Sequence, residues 1–182
     1  LSQYYQWLEK GKSALPEIIA ATGDENWRMR THGLLALGKL GDAAHFPIIR
    51  KRLETDSHPA VKNCAVIALG DLGTESAVPV LLAHIDPTGK KDSGRAAPRL
   101  RLVIQALGKI GDSRAVDPLC RILVARTNEQ IRSEISKALV AIGDPAASRF
   151  LLETEKKRTF PHIQAAEIIG TMPVTGAEPF LQ

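Results

Sequence analysis

Aromatic side chains make up only 4% of the 182 residues, there are two cysteines, and apolar runs are short. A membrane span needs about 20 consecutive apolar residues. No charged-then-apolar leader opens the chain, so a cytoplasmic location without a membrane partner is expected. Cys64 and Cys120 sit among apolar neighbours in helical patterns, which suits reduced, buried thiols better than a disulfide framework. Neither charge sign dominates: 24 Lys+Arg against 20 Asp+Glu leaves +4, too mild for strong nucleic-acid binding. Sustained period-two alternation is missing as well, so strands are not expected. What remains is 44% hydrophobic and 24% charged residues, the balance of a chain that packs a core. At this length it buries roughly 70% of the surface its unfolded form exposes.

The chain repeats itself. ALGKLGD at 36–42, ALGDLGT at 68–74, ALGKIGD at 106–112 and ALVAIGD at 138–144 are copies of one motif. Their last glycines, Gly41, Gly73, Gly111 and Gly143, are 32, 38 and 32 residues apart. A fainter copy, IIGTMPV, follows at 168–174, and IIAATGD at 18–24 precedes the first full copy. Each period holds two helical patterns, A and then B. Helix B keeps apolar or small residues at Val61, Ala65, Ala68, Leu69 and Leu72, a spacing repeated by Met29, Gly33, Ala36, Leu37 and Leu40 and by Ile131, Ile135, Ala138, Leu139 and Ile142. Such a stripe fits one buried helix face, its small members letting neighbouring backbones approach.

Local chemistry marks the ends. The four motif glycines are expected to end helix B in the left-handed conformation that satisfies terminal carbonyls. Asp42, Thr74, Asp112 and Asp144 follow them as caps for the next helix. Prolines 47, 79, 118 and 179 open A helices and prolines 59, 98 and 161 open B helices, where a missing amide hydrogen costs little. The pattern predicts A helices at 46–55, 77–86, 115–126 and 147–157, and B helices at 27–40, 59–72, 99–110, 130–142 and 161–170. One such hairpin cannot bury its apolar face, so successive copies must stack.

Leading prolines, V-R or V-K pairs and A-L-G-x-I-G-D together resemble the HEAT-like repeat family of the phycobilisome-lyase type over residues 14–182. The resemblance implies an all-α solenoid of about five stacked hairpins: a cap helix in 1–13, repeats at 14–42, 43–74, 75–112, 113–144 and 145–175, and the start of a further repeat at 176–182. GAEPFLQ there is similar to AVPVLL at 77–82, so the array is expected to be part of a longer protein. The resemblance also implies an ion pair between an Asp of the A-to-B turn and a basic residue six positions on, matched by Asp24 with Arg30 and by Asp56 with Lys62. Tyr4, Tyr5, Trp7 and Trp27 are expected to form an N-terminal cap.

Catalytic constellations are not expected. The five histidines, His32, His45, His58, His84 and His162, are scattered along the chain without metal-ligand spacing. No His-Glu dipeptide occurs, so the iron site of the architecturally related deoxyhypusine hydroxylase is not implied. Asp56, Ser57 and His58 are adjacent and cannot face one another as a triad must; they read as turn and cap. ALGKIGD lacks the strand and the G-K-[ST] ending of a phosphate loop. No cofactor and no small-molecule substrate are expected.

Two features read as binding surfaces. The insertion DPTGKKDSGRAAPR at 86–99 brings Lys90, Lys91, Arg95 and Arg99 close to Arg101, a basic loop suited to an acidic protein surface or to phosphate. In the B helices, Leu34, Leu35, Val66, Ile67 and Ile104 are apolar where later copies become polar at Gln105, Ser136 and Lys137. Left uncovered, they would form a groove for a partner helix or peptide. The leading expectation is a noncatalytic scaffold for a protein partner. The alternatives are a bilin-lyase-type enzyme subunit and a nucleic-acid-binding module like HEAT-like DNA glycosylases.

Overall fold

A computed structural model describes residues 3–85, 97–125 and 128–156, and every regular element among them is helical. The chain divides into two compact units, Leu1–Leu81 and Leu82–Gln182. Each is an all-α stack of hairpins of the solenoid class. No described helix is long and apolar enough to cross a membrane.

Unit 1 runs through α1 (Gln3–Lys10), α2 (Leu15–Ala21), α3 (Trp27–Leu40), α4 (Phe46–Thr55) and α5 (Pro59–Leu72), and reaches α6 (Ala77–Leu82) at its boundary. The B-type helices α3 and α5 pack on each other, with α2 against α3 and α4 against α5. Ile18, Leu34, Leu37, Ile49, Leu53 and Leu69 are fully buried between them. Capping residues set the boundaries. The Asn26 side chain accepts from the Arg28 amide at 3.0 Å, and His58 Nδ1 accepts from the Ala60 amide at 3.2 Å, just ahead of Pro59.

Unit 2 contains α7 (Ala97–Ile110), α8 (Val116–Ala125), α9 (Glu129–Ile142) and α10 (Pro145–Lys156). Here α7 packs on α9, and α8 lies against α9 and α10. Ile104, Leu107, Leu119, Ile122 and Leu123 fill the core. Asp112 and Asp144 cap as expected, accepting from the amides of Arg114 at 2.8 Å and Ala146 at 2.7 Å. The expected ranges of α3, α4 and α5 coincide with those found. By contrast, α6 stops at Leu82 rather than 86, and α10 starts at Pro145 rather than 147. The expected helix at 161–170 lies outside the described residues.

Gly73, Gly111 and Gly143 have φ of 68°, 76° and 69°, the left-handed C-terminal stop. Gly41 departs from that expectation: its backbone is extended, with φ −74° and ψ −176°. Glycine is needed there for space, since a Cβ would lie 2.5 Å from the Leu37 carbonyl oxygen. Another glycine of the motif has a role the sequence did not disclose. A Cβ on Gly38 would lie 2.6 Å from Ala68 Cα, and one on Gly108 would lie 2.9 Å from Ala138 Cα. Both are closer than real Cβ contacts, so α3–α5 and α7–α9 cross at backbone contact.

The implied charge pairing is also corrected. Arg30 does not pair with the Asp24 carboxylate; it reaches the following turn, donating from Nε to Asp56 Oδ2 at 2.7 Å and from Nη2 to Oδ1 at 3.0 Å. Its Nη1 donates to the carbonyls of Asp24 and Glu25, both at 2.9 Å. Lys62 Nζ donates to the Glu54 carbonyl at 3.3 Å instead of to Asp56. The Arg30–Asp56 pair is buried, with side-chain exposures of 11% and 2%, so a bidentate fork locks two successive turns. Burial is the strongest single influence on Asp56 and pushes its carboxyl up. Arg30's bonds, the His58 amide and nearby Arg52 together outweigh it and hold the group below its ordinary value.

Candidate interaction surface

Neighbouring positions on a B helix point about 100° apart, and the structure separates two rows that look alike in sequence. Leu34, Val66 and Ile104 are 0% exposed. That corrects the expectation that they line an open groove: they fill the space between helices, where an apolar side chain removes the most surface from water. One residue further on, Leu35 and Ile67 are half-buried at the surface, while Gln105 and Lys137 are exposed. The outward row is therefore apolar in unit 1 and polar in unit 2.

A second outward row lies one turn further along. In unit 1 it pairs Lys39 of α3 with Asp71 of α5 at 3.1 Å. The matching positions of unit 2 are Lys109 on α7 and Ala141 on α9. A trough of about 310 Å³ opens there, floored by Gly108, Ala138 and Ala141 and walled by Gln105, Lys109, Glu134 and Lys137. Gln105 Nε2 donates to Glu134 Oε2 at 2.8 Å, and Lys137 Nζ lies 3.4 Å from Glu134 Oε1. The Gln105 bond, opposed by burial and aided by Lys137 and Arg101, holds the Glu134 carboxyl below its ordinary value. It is an anion already engaged by its own helices.

Of the expected basic loop, Arg99 is half-buried and Arg101 exposed on α7, while Lys90, Lys91 and Arg95 lie outside the described residues. Asp56 and His58 serve as pair and cap, and His58 stacks on Trp27 with ring centroids 4.1 Å apart. Trp27 thus bridges two repeat turns, with the Arg28 guanidinium 4.8 Å over its ring. Trp7 is buried, its Nε1 donating to Glu17 Oε2 at 3.1 Å, whereas Tyr5 is 55% exposed. Burial raises the Cys64 thiol, and burial followed by Asp117 pushes Cys120 up to about 12. Both are therefore protonated and poorly nucleophilic near neutral pH. Among the described residues, no three His, Cys, Asp or Glu side chains come together as a metal site.

The sequence matches the HEAT repeats family over residues 15–97 and again over 93–169. No curated protein matches it. The two matches span most of the chain, the stacking of B-type helices inside each unit agrees with them, and the chain belongs to the HEAT repeat family.

Proposed function

We propose that the chain is a noncatalytic interaction scaffold, binding a protein partner through the outward rows of its B-type helices and through the basic segment Lys90, Lys91, Arg95, Arg99 and Arg101. HEAT repeats generally mediate contacts between proteins, which supports the coarse reading. The observation that carries the finer one is the division of labour on the B helices. Leu34, Val66 and Ile104 are locked in the core, while the adjacent row, Leu35, Ile67, Gln105 and Lys137, reaches the surface with different chemistry in each copy. A surface held by capped helices and a filled core loses little entropy on binding, so affinity is determined by the few side chains it displays.

The test is calorimetry of the intact chain with a partner captured by it. Reversing the charges of Lys90, Lys91 and Arg95 is expected to weaken binding while leaving the melting temperature in place. Unchanged affinity would remove that segment from the interface.

A further inference from the structure

We propose that the His58–Trp27 contact is a proton-operated latch between two successive turns of unit 1, closed while the imidazole is neutral and released at the first turn of α5 when the ring takes a second proton. The inference goes beyond the scaffold reading and holds whatever the chain binds. It starts from the bonds of one ring. The Ala60 amide donates to His58 Nδ1 at 3.2 Å, so that nitrogen keeps its lone pair and the ring proton sits on Nε2. Protonation of Nδ1 sets one donor against another. It also brings a positive charge to the N-terminus of α5, where the helix dipole opposes a cation. The ring lies 7° from the plane of Trp27 with centroids 4.1 Å apart, and Trp27 already carries the Arg28 guanidinium at 4.8 Å.

His45 supplies the internal comparison. The Asp42 amide donates to His45 Nδ1 at 3.1 Å, and the same nitrogen lies 2.9 Å from Asp42 Oδ1. Neutral, it accepts from the amide; protonated, it donates to the carboxylate, so either state keeps a partner. Around His58 the carboxylates of the packed elements are committed elsewhere. Asp24 accepts from the Asn26 amide at 2.7 Å and Glu54 from Arg50 at 2.7 Å. Asp56 accepts from Arg30 and from the His58 backbone amide, and Glu25 is exposed to solvent. Arg28 and Arg30 on α3, Arg52 on α4 and Lys62 on α5 add cations to the same elements. Asp56, whose carboxyl lies below its ordinary 3.8, stays ionised in mild acid, so the Arg30–Asp56 fork remains closed while the cap opens.

The experiment is amide hydrogen exchange of the full chain, followed by NMR at about pH 7.5 and about pH 5, either side of the range in which histidines change charge, with rates corrected for the intrinsic pH dependence of exchange. Protection of the Ala60 amide is expected to fall about fivefold or more at the lower pH, while the Leu69 amide further along α5 keeps its protection. His58→Asn retains a capping acceptor that does not titrate, and Ala60 is expected to stay equally protected at both pH values in that chain. In the His58→Ala chain it is expected to be poorly protected at both. His45→Asn is expected to keep the wild-type response. Equal protection of Ala60 at both pH values in the wild-type chain would overturn the proposal, as would a loss that survives in His58→Asn or disappears in His45→Asn. A parallel loss at Leu69 would also overturn it, by showing that the whole unit opens rather than its cap.

Discussion

The α3–α5 pair of unit 1 and the α7–α9 pair of unit 2 use the same crossing and dress it differently. Gly38 meets Ala68 and Gly108 meets Ala138 at backbone contact, and Leu69 and Leu107 are equally buried behind them. Around that shared frame, unit 1 ties its turns with the buried Arg30–Asp56 fork and closes its outward row with Lys39–Asp71. Unit 2 keeps Gln105, Glu134 and Lys137 on the surface beside an open trough. Packing is thus carried by the repeated positions, and the chemistry of the exposed surface by those that change between copies.

Breaking the buried fork should separate the two pairs most. Asp56→Ala leaves Arg30 without its carboxylate in a nearly dry site and is expected to cost about 3–5 kcal/mol, seen as lost amide protection in α3 and α5. The pH dependence has a definite sign. The folded Asp56 carboxyl lies below its ordinary 3.8, so its contribution is complete above that value and fades as pH falls through the lower folded one. Denaturation measured from pH 5 down to 2 should show this loss, and Asp56→Asn should remove that component.

The shared frame should respond alike in both pairs. Leu69→Ala and Leu107→Ala are each expected to cost about 2–5 kcal/mol by leaving a void, measured by denaturant unfolding; a loss below about 1 kcal/mol in either would show that its helix face is misassigned. Gly38→Ala and Gly108→Ala are subtler. Alanine gains about 1 kcal/mol of helix propensity, but the added methyl collides with backbone and costs about 1–3 kcal/mol. Net destabilisation is expected in both, larger for Gly38, where the approach is closer at 2.6 Å against 2.9 Å. Hydrogen exchange of α5 and α9 amides would rank them.

Much of the fold was legible because its signals are local. Pro59, Gly73, Gly143, Asp112 and Asp144 each act within a few residues, and they mark the ends of α5 and α9 and the approaches to α8 and α10. The features that escaped sequence reasoning depend on distant neighbours. Arg30 finds its carboxylate 26 residues away rather than six, a choice set by how one turn sits above the next. Leu34 and Leu35 are equally apolar, and only packing decides that the first is buried and the second half-exposed. Gly38 and Gly108 look like ordinary helix residues until Ala68 and Ala138 are placed against them. The polar outward row of unit 2 was visible as the change from Ile67 to Gln105 and Lys137, but that Lys39 pairs with Asp71 across two helices emerges only once those helices are placed together.

Nuclear Overhauser contacts between the Gly38 α-protons and the Ala68 methyl, and between the Gly108 α-protons and the Ala138 methyl, probe the repeated crossing directly. Strong cross-peaks at both sites are expected. A well-folded chain showing one but not the other, or neither, would contradict the claim that successive B helices meet in the same way in each unit.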